Sequence, residues 1–190
     1  MVGSLFAAGD AARSMVDATH VSVASLGAHT RTVTVGSFAK SHAQAGLRVG
    51  YALASDPVAA AIRRLVNHTV YNVPVAMQRA AFAALTAGDS FLVAARDRYR
   101  AARDRAAAHL HVPAELPAGG AYLWLDFSRW TRDDCMPMLE RIAQAGVLLA
   151  PGSAFGTRSG GRARLCFTGV TEDRLDAGVE RINAVVASWR

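Results

Sequence analysis

Lysine, cysteine and long apolar runs are all scarce in this 190-residue sequence. No apolar stretch reaches the roughly 18 residues that a membrane-spanning helix requires, which argues against a membrane protein. The two cysteines, Cys135 and Cys166, form no CxxC motif and have no histidine at metal-ligand spacing, so we expect reduced thiols rather than a disulfide or a zinc site. The N-terminus has no basic segment before its apolar patch and makes a poor secretory signal, so we expect a cytoplasmic protein.

The charge balance raises the question of a nucleic-acid partner, because the formal net charge is +6 and the isoelectric point is about 10.1. The densest basic run, residues 96–105, alternates with Asp97 and Asp104 at helical spacing. That pattern favours a solvated helix face, and nothing in the chain resembles a recognition helix. We therefore predict no nucleic-acid partner and no membrane partner.

Apolar periodicity predicts strands and helices that alternate along the chain, which indicates an α/β or α+β class. The predicted strands are 20–26, 31–38, 48–54, 121–127, 146–151 and 162–169. The predicted helices begin at Asp56, Pro74, after Gly88-Asp89, at 133 and at Thr171, and end near 68, 85, 110, 144 and 189.

The segment 111–120 holds two prolines and two glycines, which favours a turn into a separate sub-domain. The first sixty residues supply about three predicted strands but almost no helix to cover them. Bare strand edges and apolar faces promote aggregation. We therefore expect another chain, or a longer version of this one, to cover this region.

Lys40 is the single lysine beside twenty arginines, and it lies between two predicted strands. Ser37 supplies a hydroxyl three residues before it, and Arg48 supplies a fixed cation with several donors eight residues after it. A hydroxyl and a guanidinium together suit a phosphate monoester, and Gly46 and Gly50 let the backbone turn closely around such an anion. An amine beside a phosphate pocket suggests a phosphorylated aldehyde that attaches to Lys40 as a Schiff base.

The stretch Ser37-Phe38-Ala39-Lys40, followed by Gly46-Leu47-Arg48-Val49-Gly50, resembles the pyridoxal-phosphate attachment motif of the class I and II, or fold type I, aminotransferases. Two positions differ from the usual motif. Ala39 stands where a serine or threonine is commoner, and Gln44 stands where an apolar residue is usual.

The resemblance continues through three further segments. Together with the first motif, these segments extend over nearly the whole chain. Residues 71–74 with Gln78 resemble the family's segment after a long interdomain helix. Pro117 with 119–124 resembles its small-domain strand, whose glycines come near the substrate. Residues 151–156 resemble the loop before the last strands, and Arg164 in 164–167 falls where the family places its carboxylate-binding arginine.

The resemblance implies an α/β fold in three parts. These are the last strands of the large, cofactor-binding domain at 1–56, interdomain helices at 57–110, and a small α+β C-terminal domain at 111–190. It also implies an aminotransferase that passes an amino group between an amino acid and a 2-oxo acid, with pyridoxal 5'-phosphate as cofactor and a homodimer or complementing chain as partner.

The same resemblance implies roles for individual residues. Lys40 would hold the cofactor and move the reacting proton, while Ser37 and Arg48 would bind its phosphate. Arg164 would grip the substrate carboxylate, with Gly120 close to the substrate. Tyr71 or Asn72 could face the partner's cofactor across a dimer interface.

Several alternatives stay open. Arg162, two residues before Arg164 on the same strand face, is a second candidate for the carboxylate. Asp10 is the nearest candidate for the acid that pairs with the pyridine nitrogen. His42 and His68 are weaker candidates for a catalytic base. The alternatives to an aminotransferase are a lyase, decarboxylase or oxidase of the same fold type, or the aminotransferase-like effector domain of a transcription regulator.

Overall fold

The structure is a computed structural model that describes residues 21–189. Contacts divide the described chain into two compact units, the first ending at Ala95 and the second beginning at Arg96. Each unit combines helices with an antiparallel sheet, so the predicted α/β class is confirmed. Within residues 21–189, no helix is both long enough and apolar enough to cross a bilayer.

The first unit is built on a two-stranded antiparallel sheet of β1, Thr34–Ser37, and β2, Gly50–Leu53. A single helical turn, α1, Phe38–Ser41, follows β1 directly, and a 3-10 turn, Ala45–Leu47, leads into β2. Two helices lie wholly within this unit: α2, Asp56–Thr69, and α3, Val75–Ala87. The core consists of Phe38, Val49 and Ala81, against which Leu47, Tyr51, Val73, Met77, Ala84 and Leu85 pack.

The long helix α4, Asp89–His109, begins in the first unit and continues into the second. The sheet of the second unit has the order β3, β4, β6, β5, and every pair in it is antiparallel. Its strands are β3, Ala114–Glu115, β4, Tyr122–Asp126, β5, Ala150–Pro151, and β6, Arg162–Cys166. Helix α5, Met136–Gln144, lies between β4 and β5 in sequence, and α6, Glu172–Ala187, follows β6.

Alternation along the central strands of the second unit decides which face is buried. Leu123 and Leu125 of β4 and Ala163 and Leu165 of β6 are buried, whereas the residues between them are partly or fully exposed. Helix α6 contributes buried residues at spacings of three and four, namely Leu175, Val179, Ile182 and Val186. The buried residues therefore recur every two positions in the strands and about every 3.6 positions in the helix, and together they form the core of the second unit.

The predicted helices are confirmed to within a few residues, because their end signals are strong. Helix α2 begins at Asp56 with Pro57 in its first turn, and α6 begins with Glu172 and Asp173 in its first turn. Proline suits the first turn because its missing N–H has no helical partner there, and acidic residues interact favourably with the positive end of the helix dipole.

The predicted strand at 20–26 is wrong, since Val23–Leu26 is a 3-10 turn. Both the N–H and the hydroxyl of Ser25 donate to the carbonyl of Ser22, at 3.0 and 2.7 Å. Gly27 then takes φ +81°, a left-handed conformation that ends the segment. Local side-chain bonds of this kind compete with strand pairing.

The predicted strand at 146–151 is also mostly wrong, because only Ala150 and Pro151 pair with β6. Gly146 has φ +88°, and the next N–H, of Val147, donates to Ile142 O at 3.1 Å, so these residues close the end of α5 instead.

The division of the chain into the parts 1–56, 57–110 and 111–190 stays a prediction.

Truncation of Leu123 tests the core of the second unit, because this side chain is fully buried while Leu148 is 87% exposed. We expect Leu123→Ala to lower the free energy of unfolding by about 2–5 kcal/mol, since it leaves a cavity. The matched change Leu148→Ala should stay within about 0.5 kcal/mol of the parent. Urea unfolding followed by circular dichroism measures both, and equal losses would contradict the assigned strand faces.

Candidate functional site

The pairing of β1 with β2 brings the predicted phosphate ligands to one end of this sheet. Ser37, the last residue of β1, is opposite Gly50, the first residue of β2. The next N–H, of Phe38, donates to Val49 O at 3.3 Å. Arg48, which directly precedes Val49, therefore lies beside the turn that carries Ser37 and Lys40.

Ser37 and Lys40 are both exposed; Ser37 directly precedes the turn α1, and Lys40 lies within it. Ser37 caps this turn, since its Oγ accepts a hydrogen bond from Ala39 N at 3.1 Å. Phe38 between them is only 3% exposed and anchors the turn to the core. The turn thus keeps the hydroxyl of Ser37 and the amine of Lys40 at the surface while its apolar residue is buried.

Arg48 is exposed and has φ +54°, a left-handed conformation that is uncommon for a residue with a side chain. One guanidinium N–H donates to Ala45 O at 3.1 Å, which orients the side chain back over the preceding 3-10 turn. A guanidinium has five N–H donors, so most of them stay available for an anion.

The two flanking glycines have different roles. A Cβ on Gly46 would contact nothing within 4 Å, so space does not demand glycine there. A Cβ on Gly50 would lie 2.7 Å from Gly36 O on the opposite strand, so Gly50 is required for the strands to pair closely. The sequence interpretation, that both glycines serve an anion, remains untested.

The sequence around Lys40 is basic. The segment 21–55 carries three fixed positive charges, on Arg31, Lys40 and Arg48, and contains no aspartate or glutamate. No carboxylate of that segment therefore competes for the donors of Lys40 and Arg48.

The two unusual residues near Lys40 have distinct surroundings. Gln44, in place of an apolar residue, has a buried Oε1 that finds no hydrogen-bond donor in the described part of the chain. The His42 ring lies against Phe38 at a tilt of 49°, with ring centroids 5.4 Å apart, and its Nδ1 lies 2.8 Å from Ser41 Oγ. Burial lowers the pKa of His42, against a smaller opposing effect of Asp89 and of a hydrogen bond to the backbone of Ala84.

Arg164 in the second unit lies against two aromatic rings. Its guanidinium carbon is 4.2 Å from the ring centroid of Tyr122 and 4.7 Å from that of Phe155. Trp124, directly opposite Arg164 in the β4–β6 register, meets Phe155 edge to face at 5.6 Å. Cation–π contacts of this kind hold the guanidinium without consuming its N–H donors. Within residues 21–189, no carboxylate forms an ion pair with Arg164.

Arg162 differs from Arg164 because it already has an acidic partner. Its Nη2 lies 3.5 Å from Asp126 Oδ2, and the two residues are opposite each other in the register. Hydrogen bonds from Ser128 and, to a smaller extent, the charge of Arg162 lower the pKa of Asp126 below its usual value. Asp126 therefore stays ionised at neutral pH and compensates the charge of Arg162.

The remaining candidates differ in backbone conformation and exposure. Gly120 directly precedes the buried Ala121 ahead of β4 and has φ +94°, which a side chain would strain. Tyr71 also has a positive φ, +67°, and is 80% exposed, and its neighbour Asn72 is exposed too. His68 is exposed at the end of α2. Asp10 lies outside the described residues.

Sequence reasoning missed the partners of the two arginines, namely Tyr122, Phe155 and Asp126. The signal for two of them was present, because Tyr122, Trp124 and Asp126 alternate on β4 just as Arg162 and Arg164 alternate on β6. Pairing these strands antiparallel puts all five side chains on one face. Phe155 lies in a 3-10 turn, Gly152–Phe155, whose position only the structure shows.

The sequence matches the family model described as "Aminotransferase class I and II" over residues 4–182. It is 35% identical to the arginine–pyruvate transaminase AruH of Pseudomonas aeruginosa over 157 residues, which is 80% of this chain and 40% of that protein. It is 30% identical to the LL-diaminopimelate aminotransferase of Nitratidesulfovibrio vulgaris over 159 residues, or 82% of this chain and 41% of that protein.

Solved structures agree with these relatives. The aromatic aminotransferase from Pyrococcus horikoshii superimposes with a TM-score of 0.82 at 27% identity, over 90% of this chain and 47% of that one. The aspartate aminotransferase from Thermus thermophilus with maleate gives a TM-score of 0.80 at 28% identity, over 93% of this chain and 46% of that one. The chain spans less than half the length of the relatives it matches.

The two cysteines of the second unit differ in burial and therefore in expected thiol reactivity. Cys135 is buried, its Sγ donates to Arg162 O at 3.2 Å, and burial raises its pKa, whereas Cys166 is exposed on β6. Because the thiolate is the reactive form, we expect one thiol per native chain to react quickly with Ellman's reagent and both to react in denaturant. Cys166→Ser should remove the fast reaction, and Cys135→Ser should keep it. A fast reaction that survives Cys166→Ser would contradict this assignment.

Proposed function

Because the chain belongs to the aminotransferase class I and II family, we propose that it supplies the amine, phosphate and carboxylate contacts of a pyridoxal-phosphate-dependent aminotransferase. One observation carries the proposal. The single lysine of the chain is exposed on a turn capped by Ser37, beside Arg48, in a 35-residue segment, 21–55, that contains no acidic residue.

The donor set around Lys40 fits pyridoxal phosphate, the cofactor of this family. The hydroxyl of Ser37 and the unused N–H groups of Arg48 suit a phosphate dianion, and the amine of Lys40 suits an aldehyde. When bound, the cofactor supplies an electron sink for charge that develops at the substrate Cα. Lys40 Nζ would hold the cofactor and would move the proton at that carbon, since a lysine amine can act both as base and as acid.

Arg164 is the better of the two candidates for the substrate carboxylate. Two aromatic rings lie against its guanidinium and no carboxylate of residues 21–189 pairs with it, whereas Arg162 is engaged with Asp126. A planar guanidinium binds a carboxylate through two parallel hydrogen bonds. The substrates are accordingly an amino acid and a 2-oxo acid, both of which carry this carboxylate.

A partner polypeptide is part of the same proposal. A sheet of two strands is only marginally stable by itself, and β1–β2 exposes 79% of Val35. Phe82 on α3 and Tyr71 after α2 are also largely exposed, at 68% and 80%. A second copy or a complementing chain that covers this surface would also bring the contacts to the cofactor ring. We keep the cytoplasm as the proposed location, which two free cysteines suit.

Covalent attachment of the cofactor tests the role of Lys40. We expect purified protein mixed with pyridoxal phosphate to absorb above about 400 nm and, after borohydride reduction, to carry one cofactor per chain on the Lys40 peptide. Lys40→Arg keeps the charge but should lose the attachment, because a guanidinium stays protonated. Equal labelling of Lys40→Arg, which would have to occur at the α-amino group, would overturn the assignment.

The same labelling measurement distinguishes a direct contact between Arg48 and the phosphate from a general effect of the protein's net charge. Arg48→Gln should raise the cofactor concentration for half-maximal labelling roughly tenfold or more, since it removes charge-assisted hydrogen bonds. Arg64→Gln removes an equal charge from the exposed face of α2 and should leave that concentration unchanged. Equal effects of the two changes would mean that only net charge matters.

Maleate, a dicarboxylate, tests the two arginines of β6. In ¹H–¹⁵N spectra we expect maleate to shift the Nε–H signal of Arg164 in the parent protein. Arg164→Gln should weaken maleate binding at least about tenfold, whereas Arg162→Gln should not, because the Arg162 side chain pairs with Asp126. Loss of binding in Arg162→Gln alone would assign the carboxylate to Arg162 instead.

A further inference from the structure

The hydroxyl of Ser41, the residue after Lys40, has two possible acceptors for its single proton. Ser41 Oγ lies 3.1 Å from Ser37 O, one helical turn back, and 2.8 Å from Nδ1 of His42. A hydroxyl donates only one hydrogen bond at a time. If it donates to Nδ1, the carbonyl of Ser37 loses this bond, and if it donates to Ser37 O, Nδ1 must itself be the donor.

The protonation state of His42 decides between these arrangements. Its other ring nitrogen, Nε2, is the one left to donate to the backbone of Ala84 on α3. A neutral ring that donates from Nε2 has Nδ1 as an acceptor and so takes the proton of Ser41. A protonated ring donates from both nitrogens, and the hydroxyl is then free to donate to Ser37 O.

We propose that His42 and Ser41 form a proton switch for the turn that carries Lys40. With His42 neutral, the chain of bonds runs from Ser41 to the ring and from the ring to Ala84. With His42 protonated, it runs from the ring to Ser41 and from Ser41 to Ser37 O, so that a side-chain bond joins the two ends of residues 37–41, which include Lys40. No bond other than these hydrogen bonds changes, and the proton comes from solvent.

One hydrogen bond matters here because α1 has only four residues. A helix this short has few backbone bonds to offset the cost of fixing its dihedral angles. Phe38 anchors the first residue of the turn in the core, and His42, which directly follows the turn, lies against that same ring. A bond from Ser41 to Ser37 O therefore acts on the part of the turn between these anchors, which includes Lys40.

The pH range follows from the surroundings of the ring. The charged group that faces His42 from the helices packed against it is Asp89, the first residue of α4, which favours the protonated form. Burial opposes protonation more strongly, so the pKa lies below 6.5. The folding stability that the neutral ring contributes is therefore complete above pH 6.5 and is lost as the pH falls through the folded-state pKa. The hydrogen bond from Ser41 to Ser37 O, which forms when His42 is protonated, offsets part of that loss of stability.

This inference rests on the proposed role of Lys40, because the switch affects function only if Lys40 attaches the cofactor. Its first test needs no cofactor. In the ¹³C,¹⁵N-labelled chain, we expect the carbonyl signal of Ser37 to shift with a midpoint equal to the pKa of the His42 ring, below pH 6.5. In Ser41→Ala the ring should still titrate and the Ser37 carbonyl should not follow it. In His42→Gln the carbonyl should not titrate at all.

A Ser37 carbonyl that stays constant while His42 titrates in the parent chain would overturn the switch. So would a carbonyl titration that persists in Ser41→Ala, since Ser41 would then not carry the bond. Neither result depends on whether pyridoxal phosphate binds.

The second test connects the switch to Lys40. The rate of pyridoxal-phosphate attachment is compared between the parent and Ser41→Ala across the titration of His42, and the ionisation of Lys40 itself cancels in the ratio of the two rates. We expect this ratio to change by up to about fivefold across the pKa of His42, the factor that one net hydrogen bond represents. A constant ratio overturns the link to Lys40, whereas absence of attachment in both proteins overturns the proposed function and leaves the carbonyl test in force.

Discussion

Burial of Phe38 is the interaction on which the candidate cofactor turn depends. Phe38 is 3% exposed, its N–H donates to Val49 O, and it packs with Val49 and Ala81 in the core of the first unit. Because Phe38 must point inward, the neighbouring Ser37 and the amine of Lys40 face outward. The same contact holds Arg48 beside them, since Arg48 directly precedes Val49. One apolar contact therefore brings together a hydroxyl, an amine and a guanidinium that are spread over twelve residues of sequence.

Within the part of the chain that the structure describes, Arg48 in the first unit and Arg164 in the second are both oriented without an acidic partner, but by different contacts. An arginine that is to bind an anion must be oriented without being neutralised by an acid of its own protein. Around Arg48 the acids are simply absent from the sequence between 21 and 55, and a backbone carbonyl orients the side chain. In the second unit Asp126 neutralises Arg162, while aromatic faces hold Arg164 and leave its charge uncompensated among the described residues.

Local chemistry explains which features the sequence predicts well. Helix starts such as Asp56-Pro57 and Thr171 followed by two acids depend on neighbouring residues only, and they are confirmed. The strand predicted at 20–26 is wrong because apolar alternation is also compatible with a turn, and the bonds of Ser25 to Ser22 decided the outcome. The aromatic contacts of Arg164 depend on a register between residues about forty positions apart, and no local pattern specifies that register.

The exposed apolar surface of the first unit connects stability with cofactor binding. Val35 lies two residues before Ser37 on the same face of β1, because side chains alternate along a strand. A chain that covers Val35 therefore approaches Ser37 as well, and it limits the access of water to Lys40 and Arg48. Charged hydrogen bonds strengthen as water is excluded, since the local dielectric constant falls. With the proposed phosphate contacts of Ser37 and Arg48, covering this surface would also tighten phosphate binding, so the affinity of the cofactor should follow the assembly of the proposed partner surface.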